Sequence, residues 1–198
     1  MGKIFCLMGK SSSGKDTLYQ LLLEKKELHL SRVIPYTTRP KRHLEENGRE
    51  YFFVDEKRQR EMEEAGKIIE LRSYNTVHGI WKYFTADDGQ IQLSQNSYLV
   101  IATLEAYEKM LLFFGKDSMV PIYVEVEDGV RLQRALDREK LQDIPKYAEL
   151  CRRFLADTED FAEEKLLHAG VEKRFYNERL SDTCEKIAAY IRCEMDTL

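Results

Sequence analysis

The sequence predicts an α/β fold, a parallel sheet core flanked by helices, and three observations carry that reading. Apolar runs of strand length alternate with helical patterns, the first such pair is joined by a Gly- and Ser-rich loop, and one stretch near residues 35–90 breaks the alternation. Residues 3–8 read as a short buried strand, and residues 15–26 carry Leu18, Leu21, Leu22 and Leu23 at helical spacing. Further apolar strands fall at 97–102 and 119–126, each followed by a helical pattern, Leu104–Phe114 and then 129–139. A short strand over Arg174–Tyr176 and a helix from 182 to about 195 close the chain. Strands alternating with helices imply parallel pairing, with the sheet covered on both faces.

Between residues 35 and 88 the texture changes to short mixed segments rich in charge and aromatics, with turn signals at Asn47-Gly48, Gly66 and Gly79. This reads as an insertion in a single domain: core 1–34, 91–127 and 156–198, insertion about 35–90, and a lid about 128–155. The lid region is helical and heavily charged, with a break near Asp143-Ile144-Pro145. No internal repeat or low-complexity segment interrupts the pattern.

Length and composition narrow the function classes. At 198 residues and 43% hydrophobic the chain can bury a core, and its longest early apolar run, Ile4–Met8, is far too short to span a bilayer. A formal charge of −4 with a third of residues charged suits an enzyme with interspersed signs and argues against a nucleic-acid binder. Cys6, Cys151, Cys184 and Cys193 are dispersed without zinc-site spacing and read as reduced thiols. Cys6 stands where a myristoylation signal needs Ser or Thr. The expectation is a cytoplasmic protein, a monomer or homodimer, with no membrane or nucleic-acid partner.

The strongest motif is Gly9-Lys10-Ser11-Ser12-Ser13-Gly14-Lys15, which follows a strand, opens a helix and has the glycine spacing and lysine of a Walker A loop. Backbone N–H groups of such a loop converge on the donor's β-phosphate, the helix N-terminus adds partial positive charge, and Lys15 reaches the β and γ oxygens of ATP. The usual Ser or Thr after the lysine is replaced by Asp16, with Thr17 next. Asp16 has two compatible readings, a carboxylate favoured by the helix dipole and a ligand for Mg²⁺, which takes hard oxygens.

The segment Tyr36-Thr37-Thr38-Arg39-Pro40-Lys41-Arg42-His43-Leu44-Glu45-Glu46-Asn47-Gly48-Arg49-Glu50-Tyr51 resembles the guanylate kinase pattern T-T-R followed by x-P-R-x-G-E-x-x-G-x-D-Y. The resemblance implies a P-loop kinase fold with an acceptor-binding insertion and a helical lid, and a reaction of ATP with GMP to give ADP and GDP. It further implies that Arg39, Arg42 and Tyr51, with Glu45 nearby, hold the acceptor's phosphate, and guanidinium forks match phosphate oxygens. Glu70 resembles the family's guanine-reading glutamate, which would accept from N1–H and the 2-amino group and so select against adenine. Arg131, Arg134 and Arg138 share a face of a lid-like helix, and Arg153 falls where a second lid arginine would, so Arg138 and Arg153 join Lys15 and Arg39 as catalytic candidates. Tyr176-Asn177 resembles the strand that ends in asparagine before the last helix.

The chain also departs from that pattern. Pro35 replaces a serine, His78-Gly79-Ile80 replaces a Tyr-Gly-Ser/Thr element and leaves only His78 to donate to the acceptor phosphate, and Ile101 to Ala106 lack the aspartates expected after the third core strand. Ribose 1,5-bisphosphate phosphokinase is similar in carrying Gly-Lys-Asp and lacking those aspartates, so it and other small-molecule kinases are alternatives. A non-catalytic guanylate-kinase-like interaction module is the alternative of another class, because fold does not imply function.

Overall fold

A computed structural model gives the fold, and residues 1–76 and 79–196 are described. In chain order the elements are β1 (Ile4–Met8), α1 (Lys15–Glu24), β2 (Leu30–Arg32), β3 (Tyr36–Thr37), β4 (Phe52–Phe53), α2 (Glu56–Glu64), β5 (Ile68–Thr76) and β6 (Gly79–Ala86). They continue with β7 (Ser97–Ile101), α3 (Leu104–Phe114), β8 (Met119–Glu125), α4 (Asp128–Lys140), α5 (Tyr147–Asp160), α6 (Glu163–His168), β9 (Arg174–Tyr176) and α7 (Leu180–Asp196).

Five strands form the core sheet in the order β2-β7-β1-β8-β9, every neighbouring pair parallel. The central strand β1 is buried throughout, and because successive side chains point to opposite faces it feeds two apolar layers. Ile4, Cys6 and Met8 pack with Tyr98, Tyr107, Met110 and Phe161 on the α3 side. Phe5 and Leu7 pack with Leu18 and Leu22 of α1 and Ile187, Ala188 and Ile191 of α7 on the other. Parallel pairing aligns the carboxyl ends of these strands along one edge, where the loops that follow β1, β7, β8 and β9 gather.

The insertion folds as a second sheet, β4-β3-β6-β5, with β5 and β6 antiparallel. One face is apolar: Phe84 and Ala86 of β6 pack with Ile68, Leu71 and Met62, the last from α2. The helix α2 replaces what the sequence presents as short mixed segments, because it buries only Gln59 and Met62 and shows almost no apolar stripe. It starts where the Asp55 carboxylate accepts from the Arg58 N–H at 2.7 Å. In β5 the register shifts between Ile68, opposite Ala86, and Glu70, opposite Thr85. That extra residue turns Glu70 and Arg72 away from the apolar face and onto the side shared with Tyr83 and Thr85.

Two helices follow β8 over the stretch expected to form a lid. Helix α4 begins at Asp128 because the Glu127 carboxylate accepts from the Val130 N–H at 2.9 Å, and it ends at Lys140, before the Asp143-Ile144-Pro145 break. Helix α5 then returns to the core, burying Leu150.

Candidate active site

The phosphate loop joins β1 to α1 at the carboxyl edge of the core sheet, with Ser12 at φ 63° and Gly14 at φ 85°. A Cβ at Gly14 would stand 2.6 Å from Asn177 Nδ2, so both the left-handed backbone and the close approach require glycine. Asn177, buried at the end of β9, donates from that nitrogen to the Ser13 carbonyl at 2.8 Å and ties the loop to the far edge of the sheet. Beside it, Ser13 Oγ and Asn177 Oδ1 are buried and find no partner among the described residues. Lys15 lies on the first turn of α1, its Nζ 3.7 Å from Asp16 Oδ2, with the Asp16 side chain 81% exposed and Thr17 exposed beside it.

Helices α4 and α5 lie against this loop. Arg138 Nη2 donates to Ser12 Oγ at 3.4 Å, and Arg134 Nη2 donates to the Asn177 carbonyl at 3.4 Å. Ser11, Ser12, Arg138, Arg153 and Phe154 line a cavity of about 20 Å³ between loop and lid. Arg153 is half exposed there, 3.4 Å from Glu149. Arg131, which reads in sequence as a solvated arginine, is instead 1% exposed. It stacks on Phe154 at 3.9 Å and donates to Asp128 at 2.6 Å and to Asp157 at 3.4 Å. The Asp157 carboxylate also accepts from the Ser11 N–H at 2.8 Å, and Lys10 Nζ reaches Asp128 at 3.4 Å. Burial opposes ionisation of Asp128, yet Arg131 and Lys10 hold its carboxyl below the usual aspartate range.

On the insertion, Arg39 is 3% exposed and gives both Nη atoms to Glu45, at 2.9 and 2.7 Å. Its Nε donates to Tyr83 Oη at 3.1 Å, and its guanidinium carbon lies 5.6 Å from the Tyr51 ring centre. Glu45 raises the Arg39 pKa and is itself held below the ordinary carboxylate value. Arg42 is exposed on the same turn and donates its backbone N–H to Glu45 at 2.8 Å. Burial, with Tyr83 beside it, raises the Tyr51 phenol. The structure therefore brings Arg39, Arg42, Glu45 and Tyr51 together, while His78 lies outside the described residues.

Glu70 is 2% exposed. Its Oε2 accepts from Arg72 Nε at 3.0 Å, and its Oε1 accepts from Arg72 Nη2 at 3.2 Å and Thr85 Oγ1 at 2.9 Å. Burial works against the charge of Arg72, and the carboxylate of Glu70 more than restores it. Arg72 lines a cleft of about 780 Å³ with Tyr74, Thr103, Glu105 and Asp160, between the insertion, α3 and the end of α5. Where aspartates were missing, Thr103 caps α3 by accepting from the Ala106 N–H at 3.3 Å, and Glu105 pairs with Lys109 at 2.6 Å. Three residues of this region escaped the sequence reading. For Arg72 a signal existed, since positions i and i+2 of a strand share a face. For Asp157 and Tyr83 none did, because their partners lie 146 and 44 positions away.

Residues 1–82 match the family model described as guanylate kinase. The guanylate kinase of Malacoplasma penetrans (strain HF-2) is 29% identical over 184 residues, covering 89% of this chain and 82% of that protein. That of Wolbachia sp. subsp. Brugia malayi (strain TRS) is 39% identical over 84 residues, 42% of this chain and 43% of that one. The crystal structure of guanylate kinase from Anaplasma phagocytophilum superimposes with a TM-score of 0.69 at 19% identity, over 98% of this chain and 86% of that one, a likeness of fold. The phosphate loop and the Arg39 to Tyr51 segment both lie inside the matched residues, and the chain is similar to guanylate kinases along most of its length.

Proposed function

We propose that the chain transfers the γ-phosphoryl group of ATP to GMP, giving ADP and GDP. Two observations carry this together: a phosphate loop beneath the arginines of α4, and an insertion on which Arg39 meets Glu45 and Tyr51 while Arg42 stands on the same turn. The loop's fit to a nucleotide phosphate rests on its forced left-handed Gly14, the helix N-terminus behind it and the Lys15 ammonium beside it.

In the reaction an acceptor phosphate oxygen bonds to the γ-phosphorus while the bond from that phosphorus to the β–γ bridging oxygen breaks, and ADP leaves with the electron pair. Little covalent chemistry falls to the protein, so its residues act by position and charge. Lys15 neutralises the β and γ oxygens, Arg138 and Arg153 approach from the lid, and Arg39, Arg42 and Tyr51 orient the acceptor phosphate. Arg39 is held by Glu45, which fixes the plane of its fork before the acceptor arrives. Lid closure keeps water from the γ-phosphate. Among the described residues no group of three or more His, Cys, Asp or Glu side chains gathers to hold a metal, so Mg²⁺ would take its oxygens from Asp16, the nucleotide phosphates and water. Bound there, the ion would supply charge neutralisation to the transferring phosphates.

Among the described residues no helix is long and apolar enough to cross a membrane, and we infer a cytoplasmic enzyme working as a monomer or homodimer on small-molecule substrates. The test is ADP release over GMP, dGMP, IMP, AMP and ribose 1,5-bisphosphate. Turnover with GMP supports the reading. Turnover with the sugar bisphosphate alone overturns it, and absence of ATP binding returns the chain to the class of interaction modules.

A further inference from the structure

The carboxylate in line to read the acceptor base does not face the cleft. Glu70 is 2% exposed, whereas Arg72, beside it on the same face of β5, lines the cleft. Glu70 offers about four lone-pair positions, and Arg72 takes two and Thr85 a third. A two-donor contact with N1–H and the 2-amino group of guanine needs two free positions. One remains, and it is buried.

Arg72 is oriented by that bond. A guanidinium carries five N–H donors in a rigid fork. Its side edge, Nε with Nη2, is spent on Glu70, which turns the end-on edge, one N–H from each Nη, away from the carboxylate. Two parallel donors match two acceptors side by side, and a 6-oxopurine shows such a pair in O6 and N7, whereas adenine shows N7 beside an N6 donor. The rest of the charged cleft lining, with Glu105, Glu108, Asp160 and Glu164 against Lys165, repels a phosphate and leaves the base as the part of the acceptor that fits.

We propose that Arg72, buttressed by Glu70, reads the acceptor base through its O6 and N7 edge. The substrate class of this site is then the 6-oxopurine nucleoside monophosphates, with or without a 2-amino group. Glu70 is a positioning residue and Thr85 holds it. This rests on the kinase reading above and deepens it.

The experiment is kcat/KM for GMP, IMP and AMP with the wild type, Arg72→Lys and Glu70→Gln, with ATP KM followed throughout. The wild type is expected to use GMP and IMP within about threefold of each other and AMP about 10- to 100-fold less well, the range of one two-donor contact. Arg72→Lys keeps a cation on Glu70 but loses the fork. It should lower kcat/KM for GMP and IMP together by about tenfold or more at unchanged ATP KM. Glu70→Gln should raise KM for both acceptors, preserve kcat at saturation and leave their ratio alone. A wild type preferring GMP over IMP by more than about tenfold overturns the assignment while leaving the kinase reading intact, as does a tenfold loss confined to GMP in Glu70→Gln. Wild-type protein that binds ATP but phosphorylates neither GMP nor IMP removes the kinase reading and this inference with it.

Discussion

Replacing Glu45 by Gln separates the two jobs of the Arg39–Glu45 pair. The side chains are 3% and 15% exposed, and the carboxylate receives two guanidinium bonds, at 2.9 and 2.7 Å, besides the Arg42 backbone N–H at 2.8 Å. Amide for carboxylate keeps one oxygen acceptor and loses the charge, so a charge-assisted bond worth about 1.5–3 kcal/mol is removed and Arg39 keeps its Tyr83 and Pro40 acceptors. For a domain of this size each kcal/mol moves Tm by about 2–4 °C, which gives a fall of roughly 3–12 °C. Thermal unfolding with and without GMP reads both jobs. The drop should shrink in saturating GMP, because an acceptor phosphate returns a negative charge to the freed guanidinium. The pH dependence has a definite sign. Glu45 is held below its ordinary 4.5 by Arg39, so its contribution is fully present above about pH 4.5 and is lost as pH falls through the depressed value in the folded protein. The gap in Tm between wild type and Glu45→Gln should therefore narrow in that acid window. A variant within about 1 °C of wild type at neutral pH, or a gap that widens in acid, refutes the reasoning.

Lys15→Ala should lower turnover by at least about 100-fold at nearly unchanged Tm, because the side chain supplies charge to the phosphates and is not part of the core; near-normal steady-state turnover contradicts this. Asp16→Ser should bind ATP more tightly than wild type in EDTA and show a smaller gain on adding Mg²⁺, and identical magnesium responses by calorimetry reduce Asp16 to a helix-terminal charge. Gly14→Ala forces a Cβ to 2.6 Å from Asn177 Nδ2 at φ 85° and should cost about 1–3 kcal/mol of stability together with ATP binding; unchanged ATP affinity tells against the loop geometry.

The fold class and the place of the phosphate loop were determined by the sequence alone, because each depends on contiguous residues. The all-apolar Ile4–Met8, the glycines at 9 and 14 and the leucines of α1 state strand, turn and helix within about twenty positions. The short strand Arg174–Tyr176 was legible in the same way. Helix ends were less so: α4 starts at Asp128 through the Glu127 cap, and α7 starts at Leu180, two positions earlier than the helical pattern suggests. Only the tertiary structure decided which groups the cleft sees. One extra residue in β5 turns Glu70 and Arg72 to the Tyr83 and Thr85 side, and the contacts that bury Arg131 and bring Asp157 to Ser11 link elements 26 and 146 positions apart. Local propensity sets whether a segment is strand or helix, but the register of a strand and the partner of a charge follow from packing between distant elements, which no local pattern encodes.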